Sequence, residues 1–90
     1  MIAMDRENLF ARGWSHVVST TGDVAELEAF RIRIGAPPMA LQTRNTHWPH
    51  LDVTGAARDA ALACPDVTVL ERSADLVRYI RNVRAVTSRP

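Results

Sequence analysis

The sequence predicts an α/β fold: one small domain over residues 1–86, with a short, mainly parallel sheet and about three helices packed on it. Three observations carry this. Apolar and β-branched runs alternate along the chain with stretches of helical periodicity, which is the pattern of a layered α/β unit. The chain has 90 residues and is 47% hydrophobic, enough for one modest core and too apolar for a disordered segment. One helix is bounded by signals at both ends, which fixes the frame for the elements on either side.

That helix follows Thr20–Asp23. Asp23 with Glu26 fits a capping box, and Thr21 is an alternative cap one turn earlier. Val24, Leu27, Phe30 and Ile34 fall three to four apart and form its buried stripe. Gly35 supplies the left-handed stop, and Pro37-Pro38 forces the chain out of helix. Before it, Met1–Asp5 reads as a buried strand with Asp5 at its C-terminal end, the edge where ligands of α/β sheets sit. A turn-capping role for Asp5 is the alternative. Residues 9–13 read as a loop, and Trp14–Ser19 as extended on the strength of Val17 and Val18.

After the helix, Met39–Leu41 is a short candidate strand with Gln42 at its end. Thr43–His47 is a polar loop, and Pro49 keeps Trp48 extended. Thr54 caps an alanine-rich helix over Gly55–Ala63, ended by Pro65. Val67–Leu70 is the clearest strand by β-branching. Ser73 caps a last helix with Leu76, Val77, Ile80 and Val83 on its apolar face, and residues 87–90 are a frayed tail.

Charge and cysteine content bound the function. The net charge of +1 gives no global signal for nucleic acid, so that partner is disfavoured. All eleven basic residues are arginine, which we read as codon bias. Arg78, Arg81 and Arg84 make a basic strip on the last helix, read here as a solvated face with cations near the helix C-terminus. No run approaches a membrane span, no secretory leader is expected, and the lone Cys64 suits a reducing cytoplasm.

The chemistry concentrates in Gln42–Arg58. His50 and Asp52, two apart in an extended segment, share one face and could act as base and orienter or bind a metal. The start of the helix after Thr54, with Arg58 one turn in, could hold an anion. His16 is a further candidate base. No motif names a cofactor or a metal, and a structural hydrogen-bond network is the competing account of every one of these residues.

Several fragments also resemble one family of small bacterial and phage proteins, catalogued as domain of unknown function 4031. They are Met1-Ile2 with Asp5, Trp14-Ser15-His16, Glu26-Leu27 with Phe30 and Ile34-Gly35, Gln42, and Pro49 to Thr54 followed by Arg58. The resemblance spans roughly residues 1 to 70. It departs at Leu51, where the family has tyrosine, and at Cys64-Pro65, where a Gly-Ala pair is frequent. It implies that Asp5, His16, Gln42, His50, Asp52, Thr54 and Arg58 form one set, and it leaves His47 outside. It supplies no substrate.

The expectation is thus a site with His16, His50 and Asp52 as catalytic groups and Asp5, Gln42, Thr54 and Arg58 as ligand-binding groups, in a hydrolase or phosphoester-binding protein. The alternative is a non-catalytic interaction module, with a second copy or a host protein as partner.

Overall fold

The computed structural model describes residues 1–7, 12–44 and 46–87. Its elements in chain order are β1 (Ile2–Glu7), β2 (Trp14–Ser19), α1 (Val24–Ile34), a 3-10 turn (Pro38–Ala40), β3 (Leu41–Gln42), β4 (His50–Thr54), α2 (Gly55–Ala63), β5 (Thr68–Arg72) and α3 (Ser73–Thr87). The expected loop at 9–13 and the tail at 87–90 fall mostly outside the described residues. Thr87 ends α3.

The five strands form one sheet in the order β3-β4-β2-β1-β5. The expectation of a mainly parallel sheet is corrected: the sheet is mixed. Only β1 and β5 pair in parallel, while β1/β2, β2/β4 and β3/β4 are antiparallel. The reason lies in what helix–strand alternation reports. A crossover helix joins strands that run the same way. Here α1 joins β2 to β3 and α2 joins β4 to β5, and the pairings make each of these couples co-directional. Neither couple is adjacent. Antiparallel partners are interleaved between them, which the alternation does not encode.

Side-chain alternation then sorts the layers. Ile2 and Met4 of β1, Val17 of β2, and Leu51 and Val53 of β4 meet Leu27, Phe30 and Ile34 of α1 and Ala61 of α2 on one face. Ala3 and Val18 meet Leu76 and Ile80 of α3 on the other. The second face is smaller, and its remaining positions on β1 and β4, with His16 on β2, are polar.

Helix α1 is capped as expected. Asp23 accepts from the amides of Ala25 and Glu26, and Gly35 sits in the left-handed region at φ 75°. Glu26 does not close the box; its carboxylate takes the N-terminal ammonium of Met1 at 2.7 Å. Val24, the first residue of α1, is less buried than the stripe predicts, at 39% exposure. Met39 and Ala40 form the 3-10 turn rather than strand, since Pro38 at its start pre-sets a helical φ.

Leu27 is fully buried, whereas Ile32 on the same helix is 64% exposed. Leu27→Ala is therefore expected to cost about 2–5 kcal/mol, and Ile32→Ala within about 0.5 kcal/mol. Urea midpoints of the two variants check which face of α1 meets the sheet.

Candidate functional site

Register brings the polar positions together. His16 on β2 pairs directly with Asp52 on β4. On the other side, β1 and β2 pair from Ile2↔Ser19 to Met4↔Val17, and one further step sets Asp5 beside His16. Asp5, His16 and Asp52 thus stand in one row across three strands, on the face covered by α3. His50 lies two residues before Asp52 on the same face.

Asp5 is the most constrained member. Its carboxylate is fully buried. One oxygen, Oδ1, accepts the backbone N–H of His16 at 2.7 Å. The other, Oδ2, accepts the His16 ring Nδ1–H at 2.7 Å and the Ser73 hydroxyl at 2.6 Å. Burial pushes the carboxyl pKa up, but the bonds from the His16 ring, Ser73 and the His16 amide outweigh it and hold the group below its ordinary 3.8. The His16 pKa moves the other way, above 6.5. The bond to Asp5 raises it, burial opposes, and the charges of Asp5 and Asp52 add to the rise.

His50 is fixed by its backbone surroundings. Its Nδ1 lies 2.9 Å from the Trp48 carbonyl, which can only accept, so Nδ1 carries the proton. In both rings Nδ1 is thereby committed, and Nε2 is the nitrogen on the Asp52 side. The two Nε2 atoms turn toward one carboxylate oxygen: Asp52 Oδ1 is 3.3 Å from that of His50 and 4.0 Å from that of His16. The rings stand edge to face with centroids 5.5 Å apart. The Asp52 charge is one of the influences that favour the protonated form of His16. Among the described residues, no group of three or more ligating side chains is gathered in a way that could hold a metal ion.

The two histidines, with Ser73, line a cavity of about 220 Å³ closed by Leu76 and Ile80 of α3 and by Trp48. Asp52 lies outside that lining. It borders a second hollow of about 240 Å³ at the β3 edge, together with Gln42 and Thr54.

The other expected site residues make bonds of their own. Gln42 pairs with His50 across β3 and β4, but its side chain donates to the Met39 carbonyl at 2.9 Å. Thr54 occupies the cap position of α2, but its hydroxyl donates to the Gly13 carbonyl at 2.8 Å instead of capping. Arg58 reaches from α2 to the Ser15 hydroxyl at 2.9 Å and also donates to the Arg6 carbonyl. Ser15 alternates with His16, so Arg58 approaches the sheet from the face opposite the histidines. These three side chains tie strand ends and loops together.

Two contributors escaped the sequence reading. Ser73 was expected only to cap α3, yet its hydroxyl bonds Asp5. Trp48 walls the cavity, and its indole N–H donates to the Ser19 carbonyl at 3.1 Å. Strand–helix adjacency at residues 72–73 is the one sequence signal that could have pointed to Ser73. Compared with family models, curated proteins and solved structures, the chain gives no match.

The opposed shifts of Asp5 and His16 set a pH window. The Asp5 contribution is present above 3.8 and is lost as pH falls through its depressed folded value. The His16 contribution is present below 6.5 and is lost as pH rises through its elevated folded value. Stability should therefore be greatest between those limits. Asp5→Asn should lower it there by about 1.5–3 kcal/mol and flatten both flanks. Chemical denaturation across pH reads both effects.

Proposed function

We propose that this protein is a small acid–base hydrolase acting on an ester or phosphoester bond. The observation that carries the reading is the pair of imidazoles, each with Nδ1 anchored and both with Nε2 turned toward Asp52. Such a pair meets the first demand of general acid–base catalysis, which is positioned groups able to take and give a proton.

In this reading His16, oriented by Asp5, removes a proton from a water molecule through Nε2. The water oxygen attacks the carbonyl carbon or the phosphorus. His50, protonated at Nε2 and steadied by Asp52, gives its proton to the departing alkoxide. One water is consumed, one ester bond breaks, and an acid and an alcohol leave. The cluster is reset when the proton taken by His16 passes back to His50, a transfer that Asp52 Oδ1 is placed to assist. Leu76, Ile80 and Trp48 keep one side of the rings dry, which strengthens the electrostatics of the pair.

A second reading rests on a different observation. Trp14, Pro37 and Met39 border the hollow at the β3 edge, and Met39 is 81% exposed. An apolar hollow of this kind suits a non-catalytic module that docks a second copy or a host protein. The Asp5–His16 network would then be structural only.

Hydrolysis of p-nitrophenyl acetate and of bis(p-nitrophenyl) phosphate separates the two. His16→Gln and His50→Gln should each lower the rate by about 100- to 10,000-fold with the fold retained. The rate should climb with pH through the His16 transition above 6.5, and Asp5→Asn should move that limb to lower pH. Wild-type rates equal to buffer, or variants as active as wild type, would leave the docking module as the surviving account.

A further inference from the structure

The arginine strip of α3 does not end in open solvent. A cavity of about 380 Å³ lies between α3 and the segment before β4, lined by His47, Trp48, Val77, Ile80, Arg81 and Arg84. It shares His47, Trp48, Val77 and Ile80 with the cavity that holds His16, His50 and Ser73, so the two adjoin. Together they form one cleft with distinct ends. At the sheet end are the two anchored imidazoles. At the far end are two guanidinium groups, one of them, Arg84, stacked over the Trp48 ring at 4.7 Å. Val77, Ile80 and Trp48 make the middle largely apolar, with the His47 imidazole on the same stretch. Among the described residues no acidic side chain lines either part.

The helix sets the length scale. Ser73, Val77, Arg81 and Arg84 recur at three- to four-residue intervals along α3 and so share one side of it. Ser73 to Arg81 spans about 12 Å at 1.5 Å per residue. Arg78 falls off this side and lines neither cavity.

We propose that Arg81, beside the Arg84–Trp48 stack, is the anion-binding end of this cleft. Its ligand is a small molecule carrying a phosphate or carboxylate group, joined through an apolar segment to the part that reaches the histidines. That the histidine end carries a bond to be broken rests on the hydrolase reading; the anion end does not. Charge complementarity selects the ligand. A guanidinium fork matches either oxyanion, and a cleft without carboxylates offers no repulsion. The apolar middle rewards an alkyl or aryl linker over a bare ion. The Arg84–Trp48 stack holds one wall of the cleft in place beside Arg81.

Binding can be followed by amide NMR titration with hexyl phosphate, hexanoate and hexanol, reading the α3 and Trp48 signals. The two anions should shift them and hexanol should not. Arg81→Gln should weaken anion binding about tenfold or more, the scale of one charge-assisted hydrogen bond. Arg78→Gln should leave it unchanged. Equal weakening by both variants, or hexanol binding as well as the anions, would overturn the proposal in favour of a diffuse charge effect or a purely apolar groove. Tighter binding of a single-stranded oligonucleotide than of hexyl phosphate, with a steep salt dependence, would overturn it in favour of a nucleic-acid backbone. His16→Gln keeps the two readings apart: it should lower hydrolysis by the factor given above and leave hexyl phosphate bound at the arginine end. Anion binding in a wild type without hydrolysis would retain the cleft and remove the hydrolase.

Discussion

The buried Asp5 carboxylate is the constraint on which the rest of the polar face depends. A buried charge is tolerated only when it is fully hydrogen-bonded. Asp5 meets this with three donors drawn from two elements: the amide and ring of His16 on β2, and the hydroxyl of Ser73 on α3. Those bonds fix more than a charge. They pin α3 to the sheet at its first residue. They also set the proton on His16 Nδ1 and so decide what its Nε2 can do. The apolar contacts on that face, Ala3 and Val18 against Leu76 and Ile80, are few, which gives the polar anchor correspondingly more weight.

The division of labour between the two faces follows from the same economy of size. A 90-residue chain has one substantial core, and here it lies between the sheet and α1 with α2. The opposite face carries only α3 and is free to be partly polar. The row Asp5–His16–Asp52 crosses it where no crossover helix competes for the space. Arg58, Thr54 and Gln42, which share a sequence neighbourhood with His50 and Asp52, are spent on backbone carbonyls and a buried serine instead. Neither nearness in sequence nor register alone decides membership in this cluster: Gln42 pairs with His50 across the strands, yet its side chain turns to the Met39 carbonyl.

That contrast explains what the sequence made legible. The frame of α1 was readable because its signals are local: Asp23 bonds amides two and three residues on, and Gly35 needs only its own φ. The convergence of His50 with Asp52 was readable from a period of two. Sheet order was not, because alternation of strands and helices records direction and not adjacency. The pairing of Asp5 with His16 depends on the register of a hairpin, which no local pattern in residues 1–19 specifies. It was reached through the motif resemblance, not through periodicity. Ser73 was masked by its suitability as a helix cap, and Trp48 by the proline after it, which explained its backbone and said nothing of its side chain. The arginine strip looked like a solvated face because the wall opposite it, Trp48 and His47, lies 30 or more residues upstream.

The central claim is that both histidines carry their neutral-ring proton on Nδ1 and offer Nε2 toward Asp52. Long-range ¹H–¹⁵N correlation of the imidazole rings, recorded at alkaline pH where the rings are neutral, reads this directly. The account predicts a protonated Nδ1 and an unprotonated Nε2 for His16 and for His50, with the His16 pattern lost in Asp5→Asn. An Nε2–H tautomer in either wild-type ring would contradict it.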